Sequence, residues 1–267
     1  MTTRKEKIII GNLKMNGSLD FYSSYFNDVK ENLKNLNNVL IGLCVPYPYL
    51  FKAEEILKNS NIGWGSQNVA KFLSGAYTGE VSAGMLKDFL SLYVIVGHSE
   101  RNTAYCESDE NIADKFKIIK DQGMMPILCV GETLIEREAG IMETVVESQL
   151  KAIIERYGAK TFDDTIIAYE PIWAIGSDMA ATPEQTNKMC KFIRNKINKN
   201  ITDGVKNLKI IYGGSVNTKN ALQLFALESV DGALIGRASL DVGDFVSICK
   251  AATSNTCLLY TSPSPRD

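Results

Sequence analysis

The amino-acid sequence predicts an α/β protein, a single (β/α)8 barrel with eight parallel strands and outer helices. Eight short apolar segments alternate with helical segments along the chain. The apolar segments are nearly continuous, as expected for parallel strands that are buried on both faces. The length of 267 residues suits one such barrel or two smaller domains. An open doubly wound sheet is the alternative, but the Gly-x-Gly-x-x-Gly turn expected after its first strand is missing from the sequence.

The elements follow from hydrophobic periodicity and from capping signals. Apolar residues from Leu19 to Leu36 recur every three or four positions, which predicts an amphipathic helix. Thr182-Pro183-Glu184-Gln185 has a cap, a helix-starting proline and a capping-box residue. The predicted strands are 7–12, 39–45, 62–67, 92–97, 125–130, 166–169, 208–212 and 231–235. The predicted helices are 19–36, 50–57, 82–88, 109–122, 141–157, 182–201, 217–227 and 240–252.

The sequence shows no linker, so we expect one catalytic barrel domain at residues 5–252 and a tail at 253–267. Residues 257–267 lie beyond the last predicted helix and have no hydrophobic period. This segment resembles translated read-through of a sequencing-library adapter. We interpret it as an artefact, with a natural disordered tail as the alternative.

Composition argues against several classes of partner. The net charge of −2 disfavours nucleic acid and anionic membrane surfaces. The six cysteines are scattered and form no Cys-x-x-Cys pair, which indicates reduced thiols without a zinc site. The apolar run near the start is too short for a signal peptide, and no segment is long enough to span a membrane. We therefore expect a cytoplasmic protein.

A carboxylate at the end of the sixth strand is the first candidate for chemistry. Glu170 follows the apolar strand 166–169 and precedes Pro171, which keeps Glu170 extended. The next ten residues are apolar and small, without a strand or helix period. A long apolar loop of this kind is suited to a lid, and a covered carboxylate can act as a base near neutral pH.

Other polar residues follow the first and fourth strands. In a (β/α)8 barrel these strand ends share one mouth. Asn12 and Lys14 follow the first strand, where Lys14 could attract an anion and stabilise an oxyanion. The chain's only histidine, His98, precedes a helix start at Ser99 and Glu100. The positive end of a helix disfavours a charged imidazole, so we expect a neutral His98 that donates one hydrogen bond.

Glycine turns follow the seventh and eighth strands. Gly213-Gly214-Ser215 and Gly236 allow backbone N–H groups to approach an anion. Phosphate sites of (β/α)8 barrels commonly lie after these two strands. The two turns together therefore predict a phosphate cradle.

The sequence resembles the triosephosphate isomerase family from Lys5 to about Ala252. The motifs that carry the resemblance are Gly-Asn-x-Lys-Met-Asn-Gly at 11–17, Gln-Asn-Val at 67–69, Gly-Ala-Tyr-Thr-Gly-Glu-Val-Ser-Ala at 75–83, Gly-His-Ser-Glu-Arg at 97–101, Leu-Cys-Val-Gly-Glu at 128–132, Ala-Tyr-Glu-Pro-Ile-Trp-Ala-Ile-Gly at 168–176 and Tyr-Gly-Gly-Ser-Val at 212–216. The resemblance implies interconversion of dihydroxyacetone phosphate and D-glyceraldehyde 3-phosphate through an enediolate, without a metal or organic cofactor.

The resemblance also implies roles for the residues at the mouth. Glu170 would be the base and His98 the neutral electrophile, with Asn12 and Lys14 stabilising the enediolate. Glu100 would hold Lys14, and Ser99 would contact Glu170 when the lid is open. The phosphate would be bound by Gly176, Gly213, Gly214, Ser215, Gly236 and Arg237. The lid would be loop 171–181, including Pro171, Ile172, Trp173, Ala174 and Ile175, with Tyr212 as its latch.

The resemblance further implies a homodimer through loop 67–79. This loop is long and apolar, and its Tyr77 and Thr78 would face the neighbouring subunit, where Thr78 supports Asn12. The sequence departs from the family pattern at four places. Leu13 replaces a common Trp, Ser177-Asp178 replaces Thr-Gly, Arg237 replaces a second Gly, and Met15 stands where some members have a reactive Cys.

Two alternatives stay open from the sequence. Another phosphate-binding barrel isomerase or epimerase would not require Glu170, His98 and Lys14 together. An inactive homologue that serves as a scaffold would be expected to lack at least one of these three, and the sequence retains all of them.

Overall fold

The computed structural model describes residues 6–175, 180–199, 201 and 203–253. Within them the eight strands pair in chain order and the last pairs with the first, so the parallel sheet closes into a barrel. The strands are β1 (Lys7–Asn12), β2 (Val39–Val45), β3 (Ile62–Ser66), β4 (Tyr93–Val96), β5 (Met125–Val130), β6 (Ile166–Tyr169), β7 (Lys209–Tyr212) and β8 (Gly232–Ile235). The predicted (β/α)8 fold is confirmed.

Helices follow the strands and cover the outside of the barrel. They are α1 (Leu19–Leu33), α2 (Leu50–Leu57), α3 (Ala83–Asp88), α4 (Ser99–Tyr105), α5 (Asp109–Asp121), α6 (Leu134–Glu138), α7 (Met142–Tyr157), α8 (Pro183–Asn198), α9 (Ala221–Phe225) and α10 (Val242–Ala251). Side-chain caps begin many of them, as at Ser18, Ser82 and Ser108. The capping box predicted at Thr182 and Gln185 is confirmed.

The helix predicted at 217–227 is too long. Only Ala221–Phe225 is helical, because the side chains of Asn217 and Asn220 bind backbone N–H groups within 217–220 and form a turn there. Asparagine side chains compete with the helical hydrogen-bond pattern in this way. The short helix α6 was not predicted, although Thr133 and Glu136 form a capping box at its start.

Side chains alternate between the two faces of each strand, which produces one apolar layer inside the barrel and another between the strands and the helices. The barrel interior is filled by one cluster, to which β1 contributes Ile8 and Ile10, and β6 contributes Ile166 and Ala168. The residues between them, such as Ile9 and Ile167, belong to the layer between the strands and the helices. Because side chains alternate between the two faces of a strand, the next inward positions at the carboxyl ends are Asn12 and Glu170.

Leu13, where a packing change was expected, is fully buried in the outer apolar layer. No helix in the described part of the chain is both long and apolar enough to cross a membrane. Of the tail predicted at 253–267, residues 254–267 lie outside the described residues, including the proposed artefact at 257–267, as does Lys5 at the start of the predicted domain.

Candidate active site

The strand ends bring four of the predicted site residues to one mouth. Asn12, Glu170, Gly213 and Gly236 each stand two positions after an inward-facing residue of β1, β6, β7 and β8. They border a single cavity of about 760 Å³, which His98 and Lys14 also line. The barrel therefore gathers residues that are up to 224 positions apart in the sequence at one end.

Glu170 is a buried carboxylate at the end of β6, with 2% of its surface exposed. Its backbone N–H donates to Val130 of β5, at 2.8 Å, which continues the strand pairing beyond Tyr169. Burial raises the pKa of Glu170, although His98, the Ser99 backbone N–H and Lys14 oppose the shift. Its Oε2 atom is buried and has no hydrogen-bond partner in the described chain. The carboxylate is therefore a strengthened base with one oxygen available.

His98 lies beside Glu170, and its two ring nitrogens face different groups. Nε2 is 3.3 Å from Oε1 of Glu170. Nδ1 accepts the backbone N–H of Glu100 at 3.2 Å, which makes His98 the N-cap of α4. A nitrogen that accepts an N–H carries no proton, so the proton of the ring resides on Nε2. The neutral imidazole expected from the sequence is consistent with this geometry.

Lys14 and Asn12 line the cavity at the end of β1, and Lys14 reaches α4. The Lys14 ammonium group is 2.6 Å from Oε1 of Glu100, whose side chain is 55% exposed. The Lys14 backbone has a φ of 51°, a strained conformation for a lysine, and its N–H donates to Oδ1 of Asn12 at 3.1 Å. Gln67 donates to the Lys14 carbonyl at 3.0 Å. The loop that carries Lys14 is thus fixed from two sides.

The predicted phosphate cradle borders the same cavity. Gly213, Gly214 and Ser215 line it from β7, and Gly236 and Arg237 line it from β8. A Cβ placed on Gly236 would be 3.3 Å from Cε and 3.7 Å from Nζ of Lys14. The Gly236 turn therefore lies next to a cation, a combination that suits an anionic ligand. Gly176, the remaining predicted phosphate residue, lies outside the described residues.

The predicted lid begins with a short 3-10 turn at Ile172–Ala174, where no regular structure was expected. Pro171 and Ala174 are buried, and Ile175 borders the cavity. Trp173 donates its indole N–H to Oε1 of Glu132 at 3.0 Å. This end of the loop is therefore anchored to the barrel.

The far end of the loop meets the predicted latch. The backbone N–H of Ala181 donates to the Tyr212 hydroxyl at 3.2 Å. Burial raises the pKa of Tyr212 to about 12, so the hydroxyl stays neutral at physiological pH. The departures at Ser177 and Asp178 fall within 176–179, outside the described residues.

Most of the predicted dimer loop 67–79 is exposed in the single chain. Val69 and Ala70 are buried, but residues 72–79 are all exposed, and the rings of Phe72 and Tyr77 stack at 3.8 Å. Thr78 follows directly, and Met15 is 94% exposed after Lys14. The described chain contains no group of three His, Cys, Asp or Glu side chains positioned to hold a metal ion.

Sequence reasoning missed several charged residues at the site: Asp241 and Asp244 line the cavity, and Glu132 is buried beside it. Glu132 has no exposed surface, and its Oε1 atom accepts from Trp173, from the Tyr169 hydroxyl at 3.1 Å and from Arg137 at 2.9 Å. It stands two residues after the end of β5, so it also follows a strand end, but it comes two positions after Val130 of the outer apolar layer. That position, within Leu-Cys-Val-Gly-Glu, was the signal that could have identified it.

A closed parallel barrel with a carboxylate, an imidazole and an amine gathered at its carboxyl mouth defines a (β/α)8-barrel enzyme. A profile of the triosephosphate isomerase family matches residues 7–252. The chain belongs to the triosephosphate isomerase family.

Curated relatives agree over nearly the whole chain. The triosephosphate isomerase of Nitrosomonas eutropha is 46% identical over 246 residues, which are 92% of this chain and 98% of that protein. The triosephosphate isomerase of Dechloromonas aromatica is 43% identical over 249 residues, 93% of this chain and 99% of that one. The triosephosphate isomerase of Escherichia coli O139:H28 is 44% identical over 248 residues, 93% of this chain and 97% of that protein.

Proposed function

We propose that this protein interconverts dihydroxyacetone phosphate and D-glyceraldehyde 3-phosphate, a reaction of glycolysis and gluconeogenesis. The family match and the names of the relatives support this substrate pair. The observation that carries the proposal is the 3.3 Å separation between Nε2 of His98 and Oε1 of Glu170 beside the glycine turns. A base and a neutral donor that close can act on adjacent atoms of one small molecule.

Glu170 takes a proton from one carbon of the triose and returns it to the neighbouring carbon. Burial raises its pKa, which makes its carboxylate a stronger base than an exposed glutamate. This family is the established general example of a carboxylate base paired with a neutral histidine, so the pairing is expected of any member. Ser99 supports the carboxylate through its backbone N–H.

His98 polarises the substrate carbonyl and stabilises the enediolate oxygens. Since Nδ1 accepts the Glu100 N–H, Nε2–H is the donor that faces the cavity. Lys14 and the Asn12 amide supply positive potential at the developing oxyanion. Glu100 holds the Lys14 ammonium group at the mouth through their ion pair.

The phosphate group binds at the two glycine turns, below the lid. Gly213, Gly214, Ser215, Gly236 and Arg237 form the cradle, with the N–H of Gly176 added from the lid. Lys14, which is adjacent to Gly236, balances part of the charge. Contacts with the non-reacting phosphate supply the binding energy for lid closure, which places Ile175 over Glu170 and excludes water. The reaction proposed here uses no metal or organic cofactor.

The functional unit we propose is a cytoplasmic homodimer that forms through loop 67–79. The exposed stack of Phe72 and Tyr77 supports this assembly, because large apolar groups on a loop usually have a partner. Thr78 would support Asn12 of the partner subunit. The free thiols of Cys44, Cys106, Cys129, Cys190 and Cys249 support a reducing compartment.

A coupled spectrophotometric assay with dihydroxyacetone phosphate tests the function. We expect turnover by the full-length protein, and a fall in kcat of about 10²- to 10⁴-fold in Glu170→Gln, the range for loss of a general base. Glu155→Gln is a matched control, since it breaks only an exposed ion pair with Lys151. Turnover that is absent in the wild type rejects the function, and full activity in Glu170→Gln rejects the assigned base.

A further inference from the structure

Tyr25 connects the first outer helix to the turn after the last strand. It is buried on α1, and its hydroxyl donates to the backbone carbonyl of Ser239 at 2.6 Å. The two residues are 214 positions apart in the sequence. The mechanism proposed above gives this bond no role.

Ser239 extends the connection to the site. It has no exposed surface and ends the 3-10 turn Arg237–Ser239. Its backbone N–H and its Oγ both donate to the carbonyl of Gly236, at 2.9 and 2.7 Å. Oγ also lies 3.3 Å from the carbonyl of Asn12. Ser239 therefore joins the glycine turn after β8 to the end of β1, and Tyr25 fixes Ser239 from behind.

The Tyr25 ring is held in one orientation by its aromatic neighbours. Phe21 stacks on it at 5.4 Å with an interplanar angle of 24°, and Phe26 meets it edge-on at 6.1 Å. Burial raises the pKa of the Tyr25 phenol, so the hydroxyl remains a donor throughout the neutral range. A rigid donor aimed at a buried carbonyl can set the position of the turn that carries this carbonyl.

We propose that Tyr25 is a positioning residue that holds the turn 236–239 in the geometry that binds the substrate phosphate. This inference rests on the proposed function, because it takes the turn to be part of the phosphate cradle. The backbone N–H groups of such a turn bind an anion well only when they converge on one point. Loss of the hydroxyl would let the turn move and would weaken phosphate binding, although no group that touches the phosphate is removed.

Tyr25→Phe, which deletes only the hydroxyl, tests the proposal with inorganic phosphate as a competitive inhibitor. We expect the inhibition constant of phosphate and the KM for the triose phosphate to rise together by roughly three- to tenfold, the scale of one lost hydrogen bond. We expect kcat to change by less than about twofold, because Glu170 and His98 are untouched. A role in stability alone would lower Tm and leave the inhibition constant unchanged.

Tyr22→Phe is the matched control. Tyr22 is also fully buried on α1, and its hydroxyl donates to a backbone carbonyl, that of Asn16 at 2.9 Å. We expect this variant to lose comparable stability but to keep wild-type inhibition by phosphate. The proposal would be overturned if the inhibition constant of phosphate rose equally in both variants, or if it stayed at the wild-type value in Tyr25→Phe.

The test separates failure of this inference from failure of the proposed function. If the wild type turns over triose phosphate and Tyr25→Phe behaves identically, only the role of Tyr25 is wrong. If the wild type shows no turnover, the isomerase proposal fails. Calorimetric titration of phosphate into wild type and both variants, at a temperature at which circular dichroism shows all three folded, then decides the role of Tyr25. A weaker affinity in Tyr25→Phe alone supports it, and equal affinities overturn it.

Discussion

The side chain of Glu170 occupies the space that a side chain at Gly213 would require. A Cβ built on Gly213 would lie 2.6 Å from Cγ and 3.2 Å from Oε1 of Glu170. The Gly213 backbone cannot move away easily, because its N–H donates to the Tyr169 carbonyl at 2.8 Å. The end of β7 thus forms a wall that sets the position of the proposed base, in addition to any contact with phosphate.

We predict that Gly213→Ala lowers kcat by about 10- to 100-fold, because a displacement of the base by about 1 Å can cost two orders of magnitude. The added methyl group also overpacks the mouth, with an expected loss of about 1–3 kcal/mol in the free energy of unfolding. Steady-state kinetics and thermal denaturation measure the two effects. Gly84→Ala is the control, since its nearest contact is an ordinary 3.7 Å to Ser82 Oγ. Unchanged kcat in Gly213→Ala would show that the base has room to adjust.

The buried Glu170 carboxylate predicts a pH-dependent difference in stability. Burial raises its pKa, so the folded state favours the protonated form, and ionisation of Glu170 destabilises the fold as pH rises through that pKa. Glu170→Gln removes the charge, and we expect it to have a higher Tm than the wild type at pH 7. The difference should shrink as pH falls toward the ordinary pKa of glutamate, about 4.3, where the wild-type group is protonated as well.

Thermal denaturation of both proteins between pH 4.5 and 8 measures this difference. The matched control is Glu155→Gln, which removes an exposed carboxylate from α7. A constant Tm difference between wild type and Glu170→Gln across this range would contradict the prediction. The activity of the wild type should fall on the acid side for the same reason, since the protonated carboxyl group cannot accept a proton.

Because Glu132 is buried, we predict that replacing its side chain causes a large loss of stability. Its Oε1 atom accepts from Arg137, Tyr169 and Trp173, and the Arg137 side chain is only 16% exposed. Glu132→Ala leaves this cation without its carboxylate, for which we expect a loss of about 3–5 kcal/mol in the free energy of unfolding. Loss of the Trp173 contact should also lower kcat, because the start of the proposed lid is released. Denaturant titration and kinetics measure the two effects.

An exposed ion pair provides the comparison for Glu132. Glu143 pairs with Lys188 at 3.0 Å, with side chains that are 41% and 67% exposed. Solvent screens such pairs, so Glu143→Ala should cost no more than about 1 kcal/mol and should leave kcat unchanged. Equal losses in the two variants would mean that burial of Glu132 has no energetic consequence.

The order of the strands and the residues at their ends followed from local pattern. Val39–Val45, Met125–Val130 and Ile166–Tyr169 were predicted at their observed bounds, because a continuous apolar run is a property of the segment itself. Because side chains alternate between the two faces of a strand, the sequence also predicts that the side chains of Asn12 and Glu170 face the barrel interior. The parallel barrel then brings both to one mouth.

Contacts between elements that are distant in the sequence could not be predicted from local sequence patterns. The acceptor role of Glu132 depends on three donors that come from β6, α6 and the proposed lid. The bond from Tyr25 to Ser239 depends on how α1 packs against the turn after β8. A buried tyrosine on an amphipathic helix is usually only part of the core, so the pattern gave no reason to single out Tyr25. The start of the helix predicted at 217–227 was wrong because local asparagine bonding outweighed apolar periodicity.

The exposed residues 72–79 of the predicted dimer loop lead to a final prediction about assembly. Leu73 and Tyr77 are 57% and 41% exposed. If this loop forms the dimer contact, Tyr77→Asp places a charge in an apolar interface, and like charges from both subunits are buried there. We expect a shift from dimer to monomer in analytical ultracentrifugation, and a fall in kcat of at least about tenfold as Thr78 no longer supports Asn12 of the partner subunit. Leu90→Asp is the control, because Leu90 is 52% exposed between α3 and the amino end of β4, away from the mouth. A Tyr77→Asp protein that remains dimeric and active would assign the contact to another surface.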